Sequence, residues 1–552
     1  MTRSTREVGL AAAAQPTREV GLAAAAQPTP RFERWARLGD GGWDVIVVGG
    51  GITGAAILLE AARRGLSAVL FDRNDVASGT SSRSSKMVHG GLRYLKQGRV
   101  DLTRSSVHER RWLLSELPGL VEPFGYLLLD RRGQRPPKAV LRAGLAAYDQ
   151  LAGVRSHRSV PRHELELLVP GLADPRTRGA LYYEDAWVDD ARLVLRVLAA
   201  AEDAGGTWIN HAPVTGLLHH ANGTVRGVEV TNTVTGSNAE VTARLVVNAT
   251  GAWADRLRTD VRTNDERIRP LRGSHLVFPA WRLPVAHTVT LMHPADGRPV
   301  YVYPWMGATI VGTTDLDHHP DLDNEPAITD DEIAYLLTVP ATVFGKGAVG
   351  RGDIIASWAG VRPTVDTGAA DPSKESRDHV VWIEHGLLTV TGGKLTTFRE
   401  IARDALDRAA PIIGDHPSPT IRTFVTPRID GDLVGRFGAD AARRLAGRYG
   451  PALTGLVEAS REGEDGRLEG VDHCLAEVRW GARAELVVHL DDLLLRRTRI
   501  GNLLPRGGLD HAAEIEAICR EELRWDDETW QGELRRYDAL WKLHYGPPTV
   551  RS

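Results

Sequence analysis

The hydrophobic and polar positions of the chain change their period several times, and each change predicts an element. Asp44 to Val48 is a short, almost wholly apolar run, which is typical of a buried parallel strand. Ala55 to Arg64 has helical spacing and ends at Gly65. Ser67 to Phe71 is a second apolar run, and Asp72 follows it. The succession predicts a strand–helix–strand unit of about thirty residues.

Helical spacing returns at Val100 to Leu117, within Gln134 to Arg155, and at Asp190 to Ala204. From about Arg267 to Ile383 the pattern favours strands. After Thr426 the chain is helical and rich in charge to its end, which predicts a separate helical domain.

Length and composition narrow the class of protein. The chain has 552 residues, of which 42% are hydrophobic and 25% charged, and its net charge is −3. This balance is typical of a soluble protein of several domains and argues against a nucleic-acid binder. Cys474 and Cys519 match no metal-ligand spacing, so we expect no metal and a reducing, cytoplasmic setting. Since no run of about eighteen apolar residues occurs, no segment is expected to span a bilayer.

The N-terminus carries a direct repeat of TREVGLAAAAQP, at Thr5 to Pro16 and again at Thr17 to Pro28. Its apolar runs are shorter than the core of a signal peptide, and two copies are too few for a solenoid. We therefore expect residues 1–40 to be a disordered extension.

The turn after the first predicted strand is GGGITG, Gly49 to Gly54, which satisfies the pattern G-x-G-x-x-G. In this pattern Gly49 permits the tight turn, Gly51 lets backbone approach a pyrophosphate, and Gly54 lets the helix pack on the strand. The helix N-terminus offers N–H groups to phosphates, and Asp72 can accept hydrogen bonds from ribose hydroxyls. The unit predicts a dinucleotide site without deciding between FAD and NAD.

Two later turns favour FAD. NATGAW, Asn248 to Trp253, follows another buried strand, and TGGKLTT, Thr391 to Thr397, lies at a further strand-to-helix turn. A nucleotide domain in three segments resembles the flavoproteins of the glutathione-reductase and D-amino-acid-oxidase types. The helix N-terminus near Lys394 to Thr396 would stabilise negative charge on a reduced flavin. The predicted fold class is therefore α/β, with a split FAD-binding Rossmann-like domain, an inserted β-rich substrate domain and a C-terminal helical domain.

The stretch SGTSSRSSKMVHGGLRYL, Ser78 to Leu95, follows Asp72 closely, so we expect it to run along the cofactor. Its hydroxyls and N–H groups would face the pyrophosphate and the ring. Gly90 and Gly91 would remove side chains where the chain passes close to the isoalloxazine. His89, Arg93 and Tyr94 then supply a titratable group, a cation and a phenol.

Together, six motifs resemble the FAD-dependent glycerol-3-phosphate dehydrogenase family, from about Asp44 to the C-terminus. The family commonly has Glu where this chain has Asp72, so the ribose contact is expected to be longer or bridged by water. The motifs are SGTSSRSSKMVHGGLRYL, WVDDARL (Trp187 to Leu193), GSH (Gly273 to His275), GTTD (Gly312 to Asp315), GVRP (Gly360 to Pro363) and GGKLTTFR (Gly392 to Arg399).

The resemblance implies oxidation of sn-glycerol 3-phosphate to dihydroxyacetone phosphate, with hydride passing to flavin N5 and electrons then to a membrane quinone. It implies Arg93, Arg362 and Arg377 as substrate-binding cations and Lys394 at the flavin edge. Guanidinium groups suit a phosphate dianion. On the same grounds we expect peripheral attachment to the inner face of the cytoplasmic membrane, and a homodimer is compatible with it.

The oxidation also needs a proton acceptor for the C2 hydroxyl. His89 is the first choice and His275 the second, since histidine titrates in the right range. Either histidine could instead only form hydrogen bonds, and Tyr94 could bind substrate or simply pack.

Alternatives remain at this stage. An oxygen-using glycerol-3-phosphate oxidase, an amine or amino-acid oxidase, and a flavin-binding protein without turnover would share the scaffold. The basic, half-apolar segment Gln134 to Arg155 favours a helix on the membrane surface, although an ordinary packed helix has the same pattern.

The predictions for domains and sites are specific. The predicted domains are the extension 1–40, an FAD-binding domain within 41–424 (segments near 41–120, 180–255 and 385–424), an interleaved substrate domain (mainly 256–384) and a helical domain 425–552. The predicted catalytic and substrate residues are His89, Arg93, Tyr94, His275, Arg362, Arg377 and Lys394. The predicted FAD contacts are Gly49, Gly51, Ile52, Thr53, Gly54, Asp72, Thr80, Ser81, Ser82, Ser84, Ser85, Gly90, Gly91, Leu92, Val214, Ala249, Thr250, Gly251, Trp253, Gly393, Lys394, Leu395 and Thr396.

Overall fold

The computed structural model describes residues 28–39, 41–92, 99–261, 266–368, 375 and 378–547. Three of the predicted substrate residues, Arg93, Tyr94 and Arg377, lie outside the described residues, as does nearly all of the N-terminal repeat. No helix in the described part of the chain is long and apolar enough to cross a membrane.

The strands form two sheets. They are β1 (Trp43–Val48), β2 (Ala68–Phe71), β3 (Met87–Val88), β4 (Val121–Arg131), β5 (Arg158–Pro161), β6 (Thr177–Val188), β7 (Thr207–Ile209), β8 (Val214–His219), β9 (Val225–Thr231), β10 (Asn238–Asn248), β11 (Ile268–Pro279), β12 (Thr288–Met292), β13 (Pro299–Trp305), β14 (Ala308–Gly312), β15 (Leu316–Asp317), β16 (Ala356–Val365), β17 (His379–Glu384) and β18 (Leu387–Gly392).

Helices cover the sheets and make up the C-terminal region. They are α1 (Arg31–Ala36), α2 (Ile52–Arg63), α3 (Val100–Glu116), α4 (Lys138–Ala152), α5 (Arg162–Leu168), α6 (Asp190–Asp203), α7 (Ala254–Arg258), α8 (Asp330–Phe344), α9 (Phe398–Arg408), α10 (Ala410–Ile413), α11 (Gly431–Phe437), α12 (Ala439–Tyr449), α13 (Leu453–Ala459), α14 (Leu475–Ala484), α15 (Leu490–Asp492), α16 (Ile500–Leu503), α17 (Ala512–Glu522) and α18 (Asp527–His544).

The first sheet has the strand order β17-β18-β10-β1-β2-β7, with β8 and β9 attached beside β10. Its central strands are parallel, and Val45 of β1 lies opposite both Leu245 and Ala68. Val45 and Val47 of β1 share one buried core with α2, α6 and α9, whereas Ile46 and Val48 lie in a second core on the opposite face of the sheet. Burial on both faces explains why β1 and β2 appear in the sequence as continuous apolar runs.

The second sheet has the order β15-β11-β14-β13-β12-β4-β6-β3, with β16 on β11 and β5 on β6. It therefore draws strands from before residue 190 as well as from the predicted substrate segment 256–384. Strands β4 and β6 pair over nearly their whole lengths. Asp185 of β6 is buried, and its carboxylate is paired with Arg110 of α3. The strand therefore departs from a simple alternation of buried apolar and exposed polar residues.

The region predicted to contain strands, Arg267 to Ile383, also contains a helix, α8, and the prediction was wrong there. The helix begins with a capping box. The side chain of Thr329 accepts from the N–H of Glu332, and the carboxylate of Glu332 accepts from the N–H of Thr329. Its Ile333 and Leu336 are buried against the second sheet. From Ile333 onward the 15-residue helix is almost wholly apolar, and the period of such a run does not distinguish helix from strand.

The expected disorder of residues 1–40 is corrected for its last part. Residues 31–36 form α1, and Arg34 is 2% exposed. Its guanidinium donates to the carbonyl of Trp208 at 3.1 Å and pairs with Glu202. A buried arginine with a carboxylate partner ties this helix to the first sheet.

The C-terminal helices pack on the second sheet. Trp530 and Tyr537 of α18 lie in one buried core with Tyr303 of β13 and Trp358 of β16. The helical region is thus continuous with the sheet that faces the candidate site, which places its residues directly behind that site.

Candidate active site

A cleft of about 620 Å³ lies between the two sheets. Gly49, Thr250 and Gly393, which follow β1, β10 and β18, line one side, and Tyr126 and Tyr301 of the second sheet line the other. The carboxyl ends of three parallel strands meet there, which is where ligands bind in open α/β sheets.

Most predicted site residues lie in this cleft. Three of the predicted FAD contacts, Gly54, Ser82 and Gly90, and the second candidate base, His275, are not among its lining residues. The predicted residues that line it are Gly49, Gly51, Ile52, Thr53, Asp72, Thr80, Ser81, Ser84, Ser85, His89, Gly91, Leu92, Val214, Ala249, Thr250, Gly251, Trp253, Arg362, Gly393, Lys394, Leu395 and Thr396.

The glycine turn brings the start of α2 against its own strand. A Cβ on Gly54 would lie 1.9 Å from the carbonyl oxygen of Gly49, and a Cβ on Gly49 would lie 2.7 Å from that of Ala249. Gly49 also has a φ of 107°, which other residues rarely adopt. The N–H of Ile52, at the start of α2, donates to Ser81 Oγ at 3.0 Å. The turn therefore places the N-terminus of α2 at the cleft, where a pyrophosphate is expected to bind.

Asp72 lies at the end of β2 and faces the same cleft. Its carboxylate accepts from the N–H of Gly50 at 2.6 Å and from that of Asn74 at 2.9 Å. Burial raises the pKa of Asp72 to about 6, although the two backbone hydrogen bonds oppose this shift. A carboxylate has about four lone-pair sites, so Asp72 retains capacity to accept from ribose hydroxyls.

The hydroxyl-rich stretch after Asp72 is held from behind. The N–H and Oγ of Ser84 both donate to Asp190, at 3.0 and 2.7 Å. The Oγ of Ser85 lies 2.9 Å from Nε2 of His275. Both serines line the cleft, so they are fixed on one side while the other side is open to a ligand.

Gly90 was expected to pass close to the isoalloxazine, but it does not line the cleft and packs against Tyr148 and Val107 instead. A Cβ there would lie 2.2 Å from the hydroxyl of Tyr148 and 2.5 Å from Cγ2 of Val107. Its N–H donates to Asp185 at 3.2 Å, and Tyr148 donates to the same carboxylate at 2.6 Å. Gly90 thus serves the packing that holds the His89 loop, whereas Gly91 lines the cleft.

The two candidate bases occupy different environments. His89 lines the cleft, whereas His275 is 1% exposed and stacks on Trp358 with ring centroids 4.9 Å apart. Burial lowers the pKa of His275 well below its usual value, and the charges of Arg362 and Lys86 lower it further. Their roles as bases remain predictions, but only His89 of the two borders the space that a substrate can enter.

A cationic pair lies across the cleft from the glycine turn. Arg362 donates to Asp315 at 2.9 Å, and Arg298 lies 3.0 Å from the other oxygen of that carboxylate. All three residues line the cleft. Sequence reasoning selected Arg362 but missed Arg298, which directly precedes the strand PVYVYPW; only its pairing with the aspartate of GTTD distinguishes it from surface arginines.

Lys394 lies between the cleft and α3. It lines the cleft and its ammonium donates to Ser106 at 3.0 Å. Sequence reasoning also missed the stacked pair Tyr126 and Tyr183, whose rings lie 5.1 Å apart in the wall. Burial keeps the pKa of both phenols well above the usual value, so they are neutral hydrogen-bonding groups.

These residues fit FAD. A glycine cradle at a helix N-terminus suits the pyrophosphate, a carboxylate at the end of β2 suits the ribose, and hydroxyls and Lys394 extend the cleft from there. The fold and the cleft together define a flavin-dependent oxidoreductase with a split nucleotide-binding domain.

Comparison with protein families identifies the class. The family model of FAD dependent oxidoreductases matches residues 44–399, and the model of the C-terminal domain of alpha-glycerophosphate oxidase matches residues 397–530. The chain is 33% identical to the aerobic glycerol-3-phosphate dehydrogenase of Staphylococcus haemolyticus over 83% of this chain and 86% of the relative. It is 35% identical to glycerol-3-phosphate dehydrogenase 2 of Mycobacterium bovis over 92% and 89%. The chain therefore belongs to the FAD-dependent glycerol-3-phosphate dehydrogenase family.

Solved structures agree with this assignment. The glycerol-3-phosphate dehydrogenase of Bacillus halodurans, complexed with FAD, matches with a TM-score of 0.75 and 26% identity over 95% of this chain and 98% of that one. The L-alpha-glycerophosphate oxidase of Mycoplasma pneumoniae shares the fold, with a TM-score of 0.54 and 20% identity over 69% and 98%. The predicted fold class and the predicted cofactor, FAD, are confirmed.

The environment of His275 predicts a pH dependence of stability. Its folded pKa lies below the value of 6.5 for the unfolded chain. Between these two pKa values the imidazole is protonated in the unfolded state and neutral in the folded state. This histidine costs no stability above that pH, and stability is lost as the pH falls toward the folded pKa, by at most about 1.4 kcal/mol per pH unit. His275→Gln should therefore flatten the fall in unfolding free energy as the pH drops below about 6.5, and the difference in slope should approach one proton near pH 5.5.

Chemical unfolding followed by tryptophan fluorescence measures both slopes. His219→Gln is the matched control, because His219 is exposed at the end of β8. This variant should keep the slope of the unsubstituted chain. Equal slopes for the His275 variant and the control would show that His275 does not resist protonation in the folded state.

Proposed function

We propose that this enzyme oxidises sn-glycerol 3-phosphate to dihydroxyacetone phosphate. The observation that carries the proposal is the pair Arg298 and Arg362 on one buried carboxylate, Asp315, in the same cleft as the FAD cradle. The relatives named above as glycerol-3-phosphate dehydrogenases support the choice of substrate. A single arginine for a carboxylate, as an amino-acid oxidase needs, would not require this second cation.

The cationic pair would bind the phosphate. Two guanidinium groups share the carboxylate of Asp315, and both line the cleft, where they could also contact an anion. Asp315 is 4% exposed, and it orients both arginines because each donates to a different oxygen of its carboxylate. Arg93 and Arg377 stay predicted contributors, and both lie outside the described residues.

His89 would take the proton of the C2 hydroxyl while hydride leaves C2, so that the carbon–oxygen bond becomes a carbonyl. When bound, FAD supplies the hydride acceptor. The packing of Gly90 on Tyr148 and its hydrogen bond to Asp185 would hold the His89 loop in one position. The hydrogen bond between Ser85, which lines the cleft, and the buried His275 would limit the movement of the same stretch.

We further propose that a membrane quinone receives the electrons and that α4 lies on an anionic lipid surface. Leu145, Tyr148 and Ala152 of this helix are buried, whereas Val140 is 58% exposed beside Ala143 and Ala147, which are also exposed. Arg142 is exposed on the same helix. An apolar face with basic neighbours is suited to lipid headgroups of negative charge. A homodimer stays a prediction.

Reduction of the bound flavin tests the substrate. Glycerol 3-phosphate should bleach the visible flavin absorbance of the purified enzyme under anaerobic conditions, and glycerol at the same concentration should not. Turnover should then be faster with a soluble quinone analogue than with oxygen. The rate with oxygen is measured as the release of hydrogen peroxide. A flavin that glycerol 3-phosphate leaves oxidised would contradict the proposed function, and rapid peroxide release would assign an oxidase.

Removal of either cleft arginine tests the phosphate site. Arg298→Met and Arg362→Met should each raise the KM for glycerol 3-phosphate by about tenfold to a hundredfold, because a charge-assisted contact is lost. The flavin content should stay unchanged. Arg282→Met is the matched control, since Arg282 pairs with Asp353 and does not line the cleft. A parallel loss of flavin would mean that the arginines support the fold rather than the substrate.

The exposed face of α4 predicts the lipid interaction. Val140→Glu should weaken sedimentation with vesicles that contain phosphatidylglycerol by about tenfold, because it removes apolar area and adds a like charge. Val234→Glu is the control, since Val234 is 49% exposed in a turn distant along the chain. Equal binding of both variants would exclude this face as the lipid-binding surface.

A further inference from the structure

We propose that Arg497 and Arg499 of the C-terminal helical region are positioning residues for the FAD-binding stretch 73–86. Both arginines are fully or almost fully buried. Neither lines the cleft. Each one reaches from the C-terminal region to carboxylates that hold the cofactor-binding stretch from behind.

Arg499 joins three parts of the chain. Its Nε donates to Asp189 at 2.9 Å, its Nη2 pairs with Asp190, and its Nη1 donates to the carbonyl of Ser82 at 3.3 Å. Asp189 caps the start of α6. One guanidinium therefore fixes a helix N-terminus and the backbone of the cofactor-binding stretch together.

Asp190 carries this contact to the cleft. One of its oxygens accepts from the N–H and the hydroxyl of Ser84, and both oxygens accept from Lys86, at 2.9 and 3.0 Å. Asp190 is 0% exposed. Since Ser84 lines the cleft, only one carboxylate separates Arg499 from a group that faces the cofactor.

Arg497 acts on the other end of the stretch. It binds Asp75 with both terminal nitrogens, at 2.6 and 2.8 Å, and both side chains are 0% exposed. The carbonyl of Asp75 accepts from the N–H of Ser78, which lines the cleft. Asp75 also follows Asp72 by three residues. We call Arg497, Arg499 and the carboxylates of Asp75, Asp189 and Asp190 the arginine clamp. It fixes the backbone between the predicted ribose and pyrophosphate contacts.

The same contacts explain a group of side chains that resembles a metal site. Asp75, His211 and Asp492 lie within 4.8 Å of one another. The two carboxylates are already paired with arginine, Asp75 with Arg496 and Arg497, and Asp492 with Arg496. Guanidinium groups already supply the positive charge beside these two carboxylates. We therefore assign the cluster to the arginine clamp rather than to a metal site.

The physical consequence is a coupling between the two parts of the chain. Without Arg497 and Arg499, the buried carboxylates of Asp75, Asp189 and Asp190 would each lose one of two cationic partners, directly behind the cleft. The partners that remain are Arg496, Arg448 and Lys86. Carboxylates in that state draw in water or protons and move from their positions. The cofactor-binding stretch would then have to be ordered by FAD itself, which weakens the binding of FAD.

The test compares two buried arginines of the C-terminal region. Arg499→Met should raise the Kd for FAD at least tenfold, measured by flavin fluorescence during titration of the full chain freed of FAD by dialysis. Arg479→Met is the matched control, because Arg479 is 3% exposed and pairs with Glu464, Glu521 and Glu522. It should lower the thermal midpoint while leaving the Kd for FAD unchanged.

A wild-type Kd in the Arg499 variant would overturn the proposal, as would an equal rise in both variants, which would show a general loss of stability. Hydrogen exchange of the unsubstituted chain gives an answer even where the variant does not fold. Because coupling is reciprocal, addition of FAD should slow exchange of the peptide that spans residues 493–503 as well as that of 73–86. An unchanged rate in 493–503 would overturn the proposal.

Discussion

The close approach of α2 to its own strand is the constraint on which the cleft depends. Gly54 and Gly49 permit a distance that no side chain would allow, and the N-terminus of α2 consequently lies at the cleft beside the carboxyl ends of β1 and β10. A helix displaced by the width of one methyl group would move its N-terminus away from Ser81 and from Asp72. The position of every other ligand-facing group is defined relative to this turn.

The second sheet supplies the chemistry opposite the turn. Its strands place Arg298, Arg362 and Asp315 in a wall that also contains buried tyrosines. A lone arginine in such a wall would be mobile and partly neutralised by solvent. Two arginines that share a carboxylate lose less entropy on binding an anion, because their guanidinium groups are already oriented. This orientation is what the proposed binding of a substrate phosphate by the two arginines relies on.

The sequence predicts local features well and long-range ones poorly. The apolar runs of β1 and β2 and the glycine turn are short-range signals. The runs are buried strands as expected, and Gly49, Gly51, Ile52 and Thr53 of the turn line the cleft. Gly90 shows the limit, because its motif suggested contact with the cofactor, whereas its packing on Tyr148 depends on a helix far along the chain. Arg298 and Asp185 were missed for the same reason, since each depends on a partner that only the folded chain brings near.

The buried ionic layer behind the cleft follows the same logic and gives the C-terminal region a role. Charged residues are rarely buried unless they are paired, so RRTR at Arg496 to Arg499 is expected on a surface if the region folds alone. In the structure these arginines are 0 to 4% exposed, and their partners Asp75, Asp189 and Asp190 all precede residue 191. If either set were removed, the other would lose buried ion pairs: Asp190 would keep only Lys86, and Arg496 would keep only Asp491 and Asp492. The helical region and the cofactor-binding stretch are therefore joined by a shared layer of buried ion pairs.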